Sequence, residues 1–561
     1  MQIVIPMSGF GERFRRAGYD IPKPLIEIER KPIIAHVIDM FPEETNFHFI
    51  CNKEHLENIN YRMEEILFKY CPTAKIHSIE PHKLGPVFAV QQIQEHLQPD
   101  EPTIVNYCDF TCYWNWKHFK NFVIETGCNG AIPAYKGFHP HSLGKTNYAY
   151  LREVDGWVKN IQEKQPFTDN RMNEYASSGT YYFSSGEIMF DSFNYMVKEN
   201  MLLGGEYYVS LAYKYLCKEF DSVIVYPLQH FMQWGTPEDV REYNYWSRTF
   251  SHLSSPQIDH KIENSVNIIP MAGLGQRFKN EGYSETKPLI PVSGTPMVVQ
   301  ATKDLPTTNN NVFVLRSDMQ GYEDVQNELR ATFPDAIIKT IDFVTDGQAR
   351  TAIIGVNEID NSKKHDIHSI TIGVCDSGAI YDKEKLQNLL DSPNVDVIVW
   401  GIRGYTNAIR NPEMYWWIDA DESKFISKVS VKTPLKNPSN DPIVLGIFTF
   451  KKVEDFKRVT DSLISRDGKI NNEFYMDSSI EDAINLGLNC ALFEVDSYLC
   501  WGTPNDLKTF EYWQSCFHLW DSHPYRLKLD KRIESHKLKD VEKKFVNNDP
   551  IIKFSLGKKE L

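Results

Sequence analysis

Residues 6–26 read PMSGFGERFRRAGYDIPKPLI, and residues 270–290 read PMAGLGQRFKNEGYSETKPLI. Twelve of these 21 aligned positions are identical, at a constant offset of 264. The echo continues along the chain. NYCDF at 106–110 answers GVCDS at 373–377, and QEKQPF at 162–167 answers SVKTPL at 430–435. SSGTYYF at 177–183 answers VLGIFTF at 444–450, and QWGTPEDV at 233–240 answers CWGTPNDL at 500–507. The offset drifts only to 267 or 268, so insertions are small. A period this long is no solenoid unit; it is a whole domain written twice.

The expected organisation is therefore domain 1 at residues 1–250, domain 2 at 266–510 and an appendage at 511–561. The join falls at 251–265, SHLSSPQIDHKIENS, a polar stretch carrying Pro256. Length agrees, since 561 residues exceed one compact domain of roughly 100–250 residues.

Within each unit, strand-like runs alternate with helix-like stretches. QIVIPM at 2–7 is a β-branched run with no polar alternation, so it reads as a strand buried on both faces. TIVNYCD at 103–109 and SITIGVCD at 369–376 read as buried strands ending in an acid, and VDVIVWGI at 395–402 as another strand. This pattern predicts α/β domains with mixed, mostly parallel sheets, and ligands beyond the carboxyl ends of the strands.

Composition narrows the function. The formal net charge is −14, from 61 Lys and Arg against 75 Asp and Glu, which argues against a general nucleic-acid binder. Hydrophobic residues are 42% and aromatics 13%, a globular balance rather than a disordered one. No apolar run is long enough for a membrane span. The start lacks the pattern of a signal peptide. The 10 cysteines are scattered without a CxxC pair, which suits reduced thiols, so a cytoplasmic location is expected. The tail from Asp521 is locally basic, with 11 Lys and Arg against 7 Asp and Glu, as a solvated terminal helix would be. Oligomeric state is left open.

The chemistry gathers in the loop after the first strand. Gly9 and Gly11 would let backbone N–H groups approach phosphate oxygens, and Arg13 and Lys23 could neutralise a polyphosphate. Neither the dinucleotide fingerprint nor the Walker loop is met. A single GxG after a strand is a common turn. Occurring twice as GxGxRF with KPL downstream, it is a specific signal.

That pattern resembles the signature of sugar-phosphate nucleotidylyltransferases, which join an NTP to a sugar phosphate and release pyrophosphate. The resemblance covers about residues 1–250 and 266–510. It implies two tandem Rossmann-like (GT-A-like) domains. It implies nucleotide phosphates held at Gly9, Gly11, Arg13 and Lys23, and at Gly273, Gly275, Arg277 and Lys287. It implies Mg²⁺ on Asp109 and Asp376. It implies a lysine for the acceptor phosphate, Lys164 beside Glu163 in the first unit and Lys432 in the second. It implies sugar contacts at Gly179 and Gly446. The nucleobase loop would lie at Gly85 in Leu84-Gly85-Pro86 and at Gly347-Gln348. The implied substrates are an NTP and a phosphorylated sugar or polyol, and such products usually feed capsule or surface-glycan synthesis.

There are departures. Many family members carry a second metal Asp where this chain has Gln233 and Cys500, and the second unit has Val431 in place of the Glu of Glu-Lys. The first unit thus keeps the fuller set.

The residues support this chemistry beside the name. A sugar phosphate and an NTP repel unless cations intervene, and an acceptor phosphate is already ionised, so no covalent nucleophile or strong base is required. Each residue alone has a plainer reading: a strand-end Asp can cap a helix, and Lys164 can be a surface lysine. Cys108 and Cys375 read as buried small hydrophobes, Trp234 and Trp501 as packing anchors, and Tyr113-Trp114-Asn115-Trp116 as core or pocket wall. His139 and His141 lack a nearby carboxylate in sequence and make a poor metal site. Two other readings remain. A nucleotide-sugar-dependent glycosyltransferase would normally carry a DxD motif, absent from CDF and CDS. A non-catalytic nucleotide-binding regulatory module would suit either unit, given Gln233 and Cys500.

Overall fold

The computed structural model describes residues 1–255, 261–362, 366–547 and 550–551. Five residues of the expected join, 256–260 with Pro256 among them, and the end of the appendage, 552–561, lie outside the described residues. The chain divides into two compact units. One holds Met1–Asn244, His518–His523 and the described residues from Lys543 on; the other holds Tyr245–Phe517 and Pro524–Glu542. The division falls inside the helix Pro237–Leu253, and the residues after 510 are shared out between the units.

In the first unit a ten-stranded sheet is organised around Gln2–Met7, whose six residues are all buried. It pairs in parallel with Phe47–Asn52 on one side and with Thr103–Asn106 on the other. Thr180–Phe183 then runs antiparallel to Thr103–Asn106 and reverses the sheet direction. Val4, Ile50 and Val105 are 0% exposed in the core beneath. Truncating one of them costs about 1–5 kcal/mol, since a cavity adds to the lost transfer energy.

The second unit repeats this arrangement. Ser265–Pro270 lies between the parallel strands Asn311–Arg316 and Ser369–Ile372, and Ile443–Phe450 runs antiparallel to Ser369–Ile372. Val266, Ile268, Val312, Ile370 and Phe448 share its core.

Two expectations need correction. The sheets are mixed, but not mostly parallel. In the first unit the strands from Gly130 onward are joined mainly by antiparallel ladders, and in the second parallel and antiparallel pairings are balanced. Short hairpins such as Ala149–Val154 with Trp157–Glu163 need no crossover helix, which is why buried runs alone do not betray strand direction. The acids also do not end their strands. Thr103–Asn106 and Ser369–Ile372 stop early, and Asp109 and Asp376 sit in the turns beyond.

Candidate active sites

Each unit has a cavity beyond the carboxyl end of its central strand. That of the first unit is about 530 Å³ and is lined by Gly9, Gly11, Arg13, Lys23, Gly85 and Asp109 among others. That of the second is about 560 Å³ and is lined by Gly273, Gly275, Arg277, Lys287, Gly347, Gln348 and Asp376 among others.

The Gly-rich loop is shaped from within and from without. Gly11 caps the helix Glu12–Arg16 with a left-handed backbone, φ 64°, as Gly275 does for Gln276–Asn280 with φ 62°. Any side chain there would strain the turn. Gly9 and Gly273 differ: neither has a positive φ, and a Cβ on either would meet nothing within 4 Å. Among the described residues no contact calls for glycine at these two positions, and both border the cavity.

Opposite the loop stands an ion pair. Lys23, in the turn Lys23–Leu25, places Nζ 2.7 Å from Asp109 Oδ2, and each side chain is 24% exposed. Burial alone would lower the lysine, but the Asp109 carboxylate overrides it and holds the ammonium above its ordinary value. Lys287 donates to Asp376 in the same way, with the same balance of causes.

The backbone of the Trp-Gly-Thr-Pro motif fixes the aspartates. Trp234 N donates to Asp109 O at 2.8 Å, and Trp501 N to Asp376 O at 2.9 Å. The following glycines leave no room to spare. A Cβ on Gly235 would stand 3.2 Å from Asp109 Oδ2, and one on Gly502 the same 3.2 Å from Asp376 Oδ2. Both glycines line their cavities.

The position of the missing second metal Asp is closed in both units. Tyr148 donates to Gln233 Oε1, and Gln233 Nε2 donates to Asp239 Oδ2 at 3.0 Å. Asp239 also accepts from Thr236 N at 2.8 Å, forming a capping box with Thr236 at the start of Pro237–Leu253. Burial, together with the charges of Glu242 and Asp109, pushes its carboxyl up to about 7. In the second unit burial raises the Cys500 thiol far above its ordinary value. Asp506 there is engaged by Thr503 at 2.7 Å and Asn407 at 3.0 Å.

At the other end, Glu163 closes the strand Trp157–Glu163 and accepts from Ser210 Oγ at 2.6 Å. Lys164 follows with a left-handed backbone, φ 57°, and Lys432 matches it with φ 48°. Lys164 Nζ donates to Tyr208 Oη at 2.6 Å and lies 4.3 Å from that ring's centroid. Tyr208 borders the cavity, although Lys164, Glu163 and Gly179 do not line it. Lys432 is exposed, and neither it nor Gly446 lines the second cavity. Gly179 has φ 101° and presses on the rings of Tyr107 and Phe110, where a Cβ would come within 3.1 Å. Gly446, with φ 80°, presses on Val374.

The loops at Gly85 and Gly347 share one construction. Tyr207 N donates to Leu84 O at 2.9 Å, and Phe474 N to Asp346 O at 2.7 Å. A Cβ on Gly85 would lie 2.8 Å from Tyr207 N, and one on Gly347 2.5 Å from Phe474 N. This brings Glu206 and Tyr208 to the first cavity and Glu473 to the second. Sequence reading missed Glu206, Tyr208, Glu473, Gly235 and Gly502 as site residues. The signal was present: GGEYYV at 204–209 and NNEFYM at 471–476 stand 267 apart, the offset of their neighbours.

The plainer readings hold for Cys108 and the two tryptophans, whereas the fold supplies the carboxylates that the sequence lacked beside His141, its Nδ1 lying 3.6 Å from Asp239 and 3.8 Å from Glu242. Cys108 is buried with its thiol pushed up to about 11, and Trp234 and Trp501 are 0% exposed. His139 Nε2 meets Phe231 O at 2.8 Å. Among the described residues no three His, Cys, Asp or Glu side chains gather as a metal site. The donor sets at Asp109 and Asp376, one carboxylate at the wall of each cavity, suit a hard cation completed by substrate phosphates and water. Among the described residues no helix is long and apolar enough to cross a membrane.

Residues 3–208 match the Nucleotidyl transferase family. The chain is 28% identical over 189 residues to the mannose-1-phosphate guanylyltransferase catalytic subunit beta of Drosophila melanogaster, covering 32% of this chain and 47% of that protein. It is 28% identical over 182 residues to the mannose-1-phosphate guanyltransferase of Saccharomyces cerevisiae, covering 31% and 48%. These homologues are nucleotidyltransferases, and the chain spans about half of their length. Among solved structures, a nucleoside-diphosphate-sugar pyrophosphorylase from Vibrio cholerae RC9 aligns with TM-score 0.36 at 18% identity, over 44% of this chain and 98% of that one. A UDP-glucose pyrophosphorylase complexed with UDP-glucose aligns with TM-score 0.36 at 17% identity, over 44% and 98%.

Proposed function

We propose that the chain is a tandem sugar-phosphate nucleotidyltransferase, in which each unit joins an NTP to a phosphorylated sugar or polyol and releases pyrophosphate. The observation that carries this reading is the pair Lys23–Asp109, set against a Gly-rich loop and repeated as Lys287–Asp376.

The acceptor phosphate oxygen attacks the α-phosphorus in line, and the bond to the β-phosphate oxygen breaks. Loop N–H groups at Gly9 and Gly11 cradle the triphosphate. Arg13 and Lys23 hold the departing pyrophosphate, and their charge counts most as negative charge builds on it. Lys164 leaves the Tyr208 hydroxyl to hold the acceptor phosphate, while Glu163, braced by Ser210, receives the acceptor's hydroxyls. The acceptor arrives ionised, so positioning rather than proton abstraction supplies the rate. Asp109 and Asp376 would hold Mg²⁺, which when bound neutralises charge on the transferring phosphoryl group. The duplicated backbone supports two working units rather than one enzyme and one scaffold. The activated product is of the kind consumed in capsule or surface-glycan assembly, and a cytoplasmic enzyme would supply it.

The test is pyrophosphate release by the full chain with four NTPs and a panel of phosphorylated sugars. Asp109→Asn and Asp376→Asn should each silence one of two separable activities. A folded chain that binds no nucleotide at either site would sink the reading.

A further inference from the structure

The second unit holds a buried carboxylate that the chemistry above does not use. Asp477 is 7% exposed, and burial pushes its carboxyl up to about 7. Among the described residues no cation is paired with that carboxylate, and only its own backbone N–H works against the effect of burial.

Its counterpart in the first unit is Ser210. The segments 204–210, GGEYYVS, and 471–477, NNEFYMD, run at a constant offset of 267. Their backbones agree: Gly204, Gly205, Asn471 and Asn472 are all left-handed, with φ 60°, 84°, 53° and 65°. Both begin with a one-residue bridge, Leu203 to Glu206 and Ile470 to Glu473. Positions 163 and 431 correspond as well. Each closes a strand, precedes a left-handed lysine, and faces residue 149 or 416 across an antiparallel ladder.

In the first unit Ser210 touches Glu163 at 2.6 Å. In the second, Val431 stands for Glu163 and Asp477 stands for Ser210. By this correspondence the carboxylate lies not at the strand's end but on the segment before the helix Ser479–Asn485. Its setting has changed too. Ala149 has become Trp416, whose ring centroid lies 5.4 Å from that of Tyr475. Burial leads in raising the Tyr475 hydroxyl, Glu473 and Asp477 add to it and Arg277 opposes.

An unpaired buried carboxylate is costly unless a cation completes it. Sugar hydroxyls supply no positive charge. An ammonium does, and the faces of Trp and Tyr favour the same charge. We propose that Asp477 is the acceptor-recognition carboxylate of the second unit, and that its acceptor is a phosphorylated alcohol carrying a positively charged amine. The inference rests on reading this unit as a nucleotidyltransferase. The amine takes no part in bond making: the acceptor phosphate oxygen joins the α-phosphorus and pyrophosphate leaves.

The experiment uses the full chain with the first site silenced by Asp109→Asn. Phosphoethanolamine, phosphocholine and glucosamine 1-phosphate are compared with glucose 1-phosphate and glycerol 3-phosphate, with each NTP and Mg²⁺. The amine-bearing acceptors should exceed the neutral ones by at least about tenfold in kcat/KM, the weight of one well-placed charge contact. Asp477→Asn should remove that advantage without changing KM for the NTP, and the fold should survive, since an unpaired charge is being deleted. The exchange Val431→Glu with Asp477→Ser should shift preference toward the neutral sugar phosphate. Preference for a neutral acceptor, unmoved by Asp477→Asn, overturns the proposal. Calorimetric binding of phosphoethanolamine and phosphocholine separates the two failures. Binding that depends on Asp477 without any pyrophosphate release upholds the amine site and removes the transferase reading of this unit; binding equal in Asp477→Asn, or no binding, removes the amine site.

Discussion

Lys23 Nζ and Asp109 Oδ2 stand 2.7 Å apart although 86 positions separate them in the chain. The pair joins the turn after the Gly-rich loop to the turn after the neighbouring strand. Without substrate, the lysine neutralises the aspartate. Lys23 also lines the cavity of the first unit, where under the proposed function it would face the polyphosphate.

Lys23→Ala should lower NTP-dependent kcat/KM at the first site by about 10²–10³-fold, the usual loss when one preorganised charge donor is removed. Asp109→Asn should fall mainly in kcat. Because the two groups touch, the double variant should lose less than the product of the single losses. Steady-state kinetics with the second site silenced by Asp376→Asn would reveal this, and strictly multiplicative losses would show that the pair is not a unit.

Lys164→Ala should raise KM for the acceptor by about tenfold or more, as expected for a lost charge-assisted contact to phosphate, and leave KM for the NTP in place. Its Nζ rests on Tyr208, not on the Gly-rich loop. Equal defects for both substrates would reassign it.

Gly347→Ala should destabilise the second unit by about 1–3 kcal/mol, since φ of 118° is strained for any other residue. The new Cβ would also collide with Phe474 N and displace Glu473 from the cavity. Urea unfolding and nucleotide titration should move together. Gly235→Ala, which crowds Asp109 at 3.2 Å, should instead lower kcat with little change in stability.

His48 makes the first unit sensitive to acid. Its Nδ1 meets His77 Nε2 at 3.1 Å and its Nε2 meets Asn46 at 3.1 Å. Burial above all, then the charge of Lys75 and the rings of His77 and His96, depress it to about 3. The unfolded chain takes up this proton near pH 6.5 and the folded one does not. Its contribution is therefore complete above about pH 6.5 and shrinks steadily as pH falls toward 3. His48→Gln should soften the loss between pH 6.5 and 5 by about 1–2 kcal/mol, read from denaturation midpoints across that range. Asp239, raised to about 7, acts in the opposite sense, its contribution falling as pH climbs from about 4.

The Gly-rich loop, its Arg and Lys, and the turn aspartates could be read from the chain because each stands in a short motif that occurs twice. Glu206 and Tyr208 were overlooked because their place in the cavity depends on Gly85 lying against Tyr207, a contact across more than a hundred positions. The sheet direction misled for a similar reason. A buried strand looks the same in sequence whether its neighbour runs parallel or antiparallel.

Sequence by itself determined that two α/β units follow one another and that each carries glycines, cations and an acid in one order, because duplicated motifs keep residue type and spacing. Only the tertiary structure decided which of these groups meet. It set Lys23 on Asp109, shut the expected second metal position with Tyr148, Gln233 and Asp239, and joined Ser210 to Glu163. The physical reason is range. Backbone turns and strand burial follow from neighbours along the chain, whereas a carboxylate's partner, and so its charge, is chosen by whichever element the fold lays beside it.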